Sequence, residues 1–210
     1  MGSVQRLIPQ FADMMAAEVS FNSGHSVITI ITSAAYFVVI WINGVIQFYS
    51  PRARARRRVI VGLHISRRSM HNGPIALLQL CVANQCLIYQ LLHRSDAAPP
   101  VRLYEFLDDN RFRFTGFDVE RSVNSLRMEF GLTVRVWADL GDAASRRLQQ
   151  DDLRWAGLDQ LVREVMGMEM IWPNEVRWTT LLERVLPLEY VPLACVDAVF
   201  SYELGRILLG

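Results

Sequence analysis

The sequence predicts an α/β domain in which helices flank a mixed sheet, and three observations carry that prediction. The run Val59-Ile60-Val61-Gly62-Leu63 follows an arginine block and stops at the polar stretch His64–Arg67, as a buried central strand does. Two further apolar runs, Ile75–Val82 and Gln85–Leu91, are separated only by Ala83-Asn84, the spacing of a tight hairpin. Beyond residue 100, strand-like and helix-like periods alternate.

At 210 residues the chain is one ordinary domain, or one domain with an extension, and is long enough to bury a real core. Half of it is hydrophobic and its net charge is +1, which excludes a disordered chain and a protein basic over its whole surface. The basic charge is concentrated instead: Arg52, Arg54, Arg56, Arg57 and Arg58 lie together, with Arg67 and Arg68 just beyond. All 22 basic residues are arginine, for which codon bias in a GC-rich gene is the plain explanation. Cys81, Cys86 and Cys195 are odd in number and form no CxxC, so neither a disulfide framework nor a zinc site is expected. They read as free thiols in a reducing intracellular compartment.

Taken in order, residues 1–18 read as an N-terminal extension and 19–210 as the domain. The extension has neither the basic start of a secretory signal nor the arginine content of a transit peptide, and association with an organelle stays open. Val27–Ile46 admits two readings. As one apolar stretch of about twenty residues flanked by arginines it could anchor in a bilayer. As two elements it is a strand over Ser26–Thr32 and a buried helix over Ala34–Ile46, capped by Ser33 and weakened at Asn43-Gly44. Its polar interruptions favour the second reading.

After the hairpin, Val101–Leu107 starts a helix, Phe112–Val119 is a strand, and Arg121–Phe130 is a helix ended by Gly131. Leu132–Trp137 is strand-like, and Ala143–Gln150 and Asp152–Met166 are helices, the second closed by Gly167. Trp172–Arg184 is irregular. Leu188–Leu209 is a closing helix that tolerates Pro192 near its first turn.

His64 and Ser66 stand two apart and so share one face at the C-terminal end of the central strand, where α/β proteins often place their chemistry. Several segments bear on that edge. VGLHIS, GPIALLQLCVANQCLIYQLLH, FTGFDVERSVNSLRMEFGL, WAGLDQLVREVMG and LACVDAVFSYELGR resemble, in this order, the plant branch of Werner-type 3′–5′ exonuclease domains. Those domains belong with ribonuclease D and the proofreading exonucleases in the ribonuclease H-like superfamily. VSFNSGHSVITIITSA resembles the family's first hairpin, so the likeness spans residues 19–210.

The resemblance implies a ribonuclease H-like 3′–5′ exonuclease fold and a phosphodiester cut with two divalent metals held by four carboxylates. Hard ions such as Mg²⁺ or Mn²⁺ need those anionic oxygens. In the family, a D-x-E on the central strand supplies two of them. Here these positions are His64 and Ser66. The third acid falls at Ser122, the motif tyrosine at Leu193, and the fourth acid at Asp197, which alone is retained.

One carboxylate does not neutralise two divalent cations, so the expectation is a pseudo-exonuclease with no cofactor. Asp118 and Glu120, with Asp197 and His64, are the residues from which a rearranged site would have to be built, His64 suiting a softer ion such as Zn²⁺ or Mn²⁺. Tyr190 is the nearest stand-in for the tyrosine. If exonuclease activity on DNA or RNA is retained, Mg²⁺ or Mn²⁺ is the metal expected. The arginine block reads as a grip on a phosphate backbone, a contact with anionic lipid, or a solvated loop. Trp155, Trp172 and Trp178 are not interleaved with basic residues as a base-stacking surface would be. A protein is the partner expected; nucleic acid, a membrane surface and a second copy are the others left open.

Overall fold

The computed structural model describes residues 2–11, 13–21, 24, 26–49, 58–68, 73–170, 180 and 183–210. Within them eight strands form one mixed sheet: β1 (Ser3–Phe11), β2 (Met14–Ser20), β3 (Ser26–Thr32), β4 (Val59–Arg67), β5 (Ile75–Val82), β6 (Gln85–Tyr89), β7 (Phe112–Gly116) and β8 (Trp137–Asp139). Their spatial order is β1-β2-β3-β6-β5-β4-β7-β8. Antiparallel pairs join β1 to β2, β2 to β3, β6 to β5 and β5 to β4, while β3–β6, β4–β7 and β7–β8 are parallel.

Helices cover both faces because the inner strands are apolar on both sides; every residue of β5 is buried. On one face lie α1 (Ala35–Tyr49), α2 (Val101–Leu107) and α3 (Val119–Phe130), packing Trp41, Ile42, Phe106 and Leu126 on Val61, Leu63, Leu80, Phe112 and Phe114. On the other lie α4 (Leu140–Leu148), α5 (Leu158–Met166) and α6 (Val191–Leu209), whose Leu140, Leu161, Ala194 and Val199 meet Ala17, Leu77 and Ile88. Each such buried side chain contributes about 1.5–3 kcal/mol, before the entropy of ordering the chain.

The mixed α/β architecture agrees with the sequence reading, and the differences have local causes. Val27–Ile46 is not one spanning helix. It divides into β3 and α1, and among the described residues no helix is long and apolar enough to cross a membrane. Ser33 does not cap α1: the helix starts at Ala35, and at its entry Thr32 Oγ1 accepts from Ala34 N at 3.0 Å. Nor does it end at Ile46: it runs on to Tyr49, with Val38, Trp41, Ile42 and Val45 anchoring it on both sides of Asn43-Gly44. Residues 1–18 contain β1 and most of β2, both hydrogen-bonded into the sheet.

The strand over Phe112–Val119 stops at Gly116, since Asp118 takes a left-handed φ of 46° and Val119 already begins α3. Leu132–Val136 is not a strand: its alternation arises because Leu132 and Val134 tuck into the core while Thr133 and Arg135 face solvent. Asp152–Met166 is two pieces, a 3₁₀ turn over Asp151–Trp155 and then α5, with the break at Ala156-Gly157. Trp172, Trp178 and most of the irregular stretch, and Arg52, Arg54, Arg56 and Arg57, lie outside the described residues.

The three cysteines are free and buried. Cys81 and Cys86 face each other across the β5–β6 hairpin, and Cys195 of α6 belongs to the same core cluster. Burial pushes the Cys86 and Cys195 thiols well above the ordinary range.

Candidate functional site

The edge singled out by His64 and Ser66 is built by the way α6 lies on β4. Gly62 shares their face, and a Cβ there would stand 1.9 Å from the Ala198 carbonyl oxygen. Only glycine lets the helix backbone approach so closely. At the other end of the contact, a Cβ on Gly205 would meet Thr115 Oγ1 at 2.5 Å, and that hydroxyl donates to the Ser201 carbonyl at 2.8 Å. Held this way, α6 brings Asp197 over the strand end. His64 Nε2 lies 3.3 Å from Asp197 Oδ2, each side chain about one quarter exposed.

Ser66 has a different partner. Its Oγ accepts from Gln79 Nε2 at 2.8 Å. Gln79 sits opposite His64 in the β4–β5 ladder and is buried, and its Oε1 has no hydrogen-bond partner among the described residues. Sequence reasoning passed over Gln79, although it is the only polar side chain in the strand IALLQLCV. Just beyond, Arg67 Nη1 contacts Glu129 Oε1 at 2.7 Å and donates to the Gly73 carbonyl at 2.6 Å. Glu129 Oε2 accepts from Ile75 N at 2.8 Å, so this one ion pair ties β4, β5 and α3 together.

The remaining candidate residues do not converge on His64 and Asp197. Ser122 is buried on the first turns of α3, with its hydroxyl 3.4 Å from the Asp118 carbonyl. Leu193 is buried in the core cluster one helical turn before Asp197, and Tyr190 packs against that cluster. Asp118 and Glu120 line an open groove with Arg67, Arg121 and Glu129, which neither His64 nor Asp197 lines. Asp118 pairs loosely with Arg121, at 3.9 Å.

A second residue that the sequence did not single out is Asp139. Its Oδ1 accepts from Gly141 N at 2.8 Å and Asp142 N at 3.4 Å, capping α4. Its Oδ2 accepts from Val119 N at 3.1 Å, reaching the first turn of α3. One carboxylate thus fixes two helix entries beside the site, and the cap pattern D-L-G-D was its signal.

No protein-family model matches the chain. A curated 3′–5′ exonuclease of Arabidopsis thaliana is 25% identical over 154 residues, which cover 70% of this chain and 52% of the relative. The chain therefore spans about half the length of that curated relative. Among solved structures, ribonuclease D of Trypanosoma brucei superposes with a TM-score of 0.62 at 18% identity, over 84% of this chain and 61% of that one. NrnC of Brucella melitensis superposes with a TM-score of 0.56 at 15% identity, over 73% of each. This is a ribonuclease H-like 3′–5′ exonuclease fold.

In a 3′–5′ exonuclease domain of the two-metal type, the edge just described would have to present several anionic oxygens to a pair of cations. The residues present do not fit that demand. One carboxylate, Asp197, stands beside an imidazole; Ser66 is held by Gln79, Ser122 leans on its own helix, and Leu193 is in the core. Among the described residues no group of three or more His, Cys, Asp or Glu is placed to hold a metal ion. The contacts at this edge are a His64–Asp197 pair and a Gln79–Ser66 hydrogen bond.

Proposed function

We propose that the domain is a pseudo-exonuclease: a 3′–5′ exonuclease scaffold that acts by binding and not by cutting, with a protein as its first partner. The observation that carries this reading is the His64–Asp197 pair, because at the four acid positions implied by the family the chain has His, Ser, Ser and Asp. The last of these is already turned to a neighbour that is itself cationic when protonated. A lone carboxylate in that setting offers too little negative charge for two divalent ions.

The surface supports binding. Helix α1 carries no charged residue over 15 positions, yet Tyr36, Ile40 and Phe48 on it are exposed, Tyr36 by 69%. Tyr36 and Ile40 stand one helical turn apart, and a contiguous apolar patch there would serve as an interaction face. The deciding experiment is an exonuclease assay on a recessed 3′ end with Mg²⁺ or Mn²⁺. The proposal expects no digestion above a no-protein control. Processive shortening that Asp197→Asn abolishes would establish the opposite reading, a retained exonuclease working through a rearranged site.

A further inference from the structure

We infer that the domain has a phosphate-binding cleft at the pole opposite the exonuclease edge, and that it receives a nucleotide unit of single-stranded nucleic acid. This goes beyond the proposed function and stands whether or not the other edge cuts. The cleft, of about 290 Å³, opens between the N-terminal ends of β4 and β7 and the last turn of α6. Its lining includes Arg58, Arg113 and Arg206, with Tyr49 and Tyr202 and, among the described residues, no acidic side chain. From Ile60 in this cleft to His64 is four strand residues, about 13 Å at the usual rise, so the two sites are separate.

The arginines differ in what already occupies them. Arg206 is committed to Glu203, which its Nη2 meets at 2.8 Å. Arg58 gives only Nε to the Asn110 carbonyl, a neutral acceptor, at 2.9 Å. Arg113 is half-buried and has no hydrogen-bond or ion-pair partner among the described residues. Two guanidinium groups therefore keep their charge here, Arg58 exposed and Arg113 half-buried in a pocket partly walled by Val59, Ile60, Val82 and Leu209. For Arg113, partial burial without a counter-charge is costly, and an anionic ligand removes the cost.

The geometry of the guanidinium favours phosphate, whose oxygens match its fork of donors. The two tyrosines supply faces for a base, which a bare phosphate would not need. Tyr49 and Arg58, which both line the cleft, are the described residues on either side of residues 50–57.

The test is fluorescence anisotropy of a labelled ten-nucleotide oligothymidine in EDTA, which keeps any metal-dependent site out of the measurement. The full chain should bind. Arg58→Gln with Arg113→Gln should weaken binding at least about tenfold and flatten the salt dependence by about 1.4 in log–log slope, the change expected when two phosphates of a single strand are no longer neutralised. Arg58→Lys with Arg113→Lys should recover most of the salt slope. Thymidine monophosphate should compete and inorganic phosphate should compete less well.

Should the glutamine variant fail to fold, bromouracil photocrosslinking on the unmodified chain replaces it, with adducts expected at Tyr49 or Tyr202. The inference is overturned by unchanged affinity in the folded glutamine variant, or by adducts confined to the His64–Asp197 edge. It is equally overturned if replacing Arg52, Arg54, Arg56 and Arg57 with glutamine abolishes binding that the cleft variant retains. Binding to anionic phospholipid vesicles without binding to the oligonucleotide would assign the pole to lipid instead.

Discussion

The carbonyl oxygen of Ala198 lies where a side chain on residue 62 would begin. That contact between Gly62 of β4 and Ala198 of α6 sets the height of the helix over the sheet, and with it the 3.3 Å approach of Asp197 to His64. Gly62→Ala must therefore push α6 outward or bend β4, since the obstacle is backbone and cannot rotate away. The variant should lose about 3 kcal/mol of unfolding free energy, at the upper end of overpacking effects. Urea denaturation followed by circular dichroism measures it, and a loss under about 1 kcal/mol would mean that α6 shifts freely.

Restoring the family's acids tests the pseudo-exonuclease reading from the other side. On the proposed reading, His64→Asp, Ser66→Glu, Ser122→Asp and Leu193→Tyr together should produce Mg²⁺- or Mn²⁺-dependent 3′–5′ digestion above that of the unmodified chain. Leu193 is a core position, so a version that keeps Leu193 guards against misfolding and should show weaker activity. Metal binding by calorimetry gives an independent readout. Restored proteins that fold, bind no metal and cut nothing would refute the pseudo-exonuclease reading of the edge.

Asp139 serves two helices with one side chain. Asp139→Ala should cost about 2 kcal/mol, one capping interaction for α4 and one for α3. Asp139→Asn keeps one acceptor oxygen but turns an NH2 donor toward the other helix's amide, so it should cost at least half as much. Hydrogen exchange at the amides of Val119 and Gly141 should quicken in the alanine variant before exchange quickens elsewhere.

The buried thiols and Tyr89 make the fold sensitive to alkali. Burial holds the protons of Cys86 and Cys195 above the ordinary thiol range, and burial pushes the Tyr89 phenol up to about 12. In each case the folded state keeps a proton that the unfolded chain gives up. The contribution is thus complete below the unfolded pKa, near ~8.5 for a thiol and ~10 for tyrosine, and falls as pH rises above it. Stability should decline by up to about 1.4 kcal/mol per pH unit per group in that range. Urea midpoints at neutral pH and at progressively higher pH measure this, and Cys86→Ala should remove part of the slope. The same burial predicts that a thiol-alkylating reagent labels none of the three cysteines until the protein is unfolded.

Much of the fold could be read in the chain because its signals are local. The hairpin declared itself by the spacing around Ala83-Asn84, and α3 and α5 by Gly131 and Gly167, which take the left-handed conformation that ends a helix. The exonuclease edge could be read for the same reason: His64 and Ser66 share a face by simple alternation, and Asp197 is found from its motif. What could not be read depends on distant parts of the chain. The partnership of Ser66 with Gln79 follows from strand register, and the burial of Leu193 from how α6 is rotated on the sheet. The alternation in Leu132–Val136 misled because a segment tucked against the core has the same pattern as a strand. The arginines of the cleft come from three separate parts of the chain, just before β4, on β7 and on α6, and no short window of sequence contains them.

The position of α6 in the chain also governs when the domain can assemble. It is the last helix among the described residues, yet it lies on β4, β5 and β7, and the shorter of the two hydrogen bonds open to the Thr115 hydroxyl, to the Ser201 carbonyl, reaches 86 residues along the chain. During synthesis the face holding Gly62, Leu77 and Cys81 stays uncovered until that helix leaves the ribosome. Contacts so far apart in sequence make for slow folding and a nascent chain prone to stick to others. Loss of α6 would therefore leave an aggregating sheet, and not a smaller domain with one helix fewer.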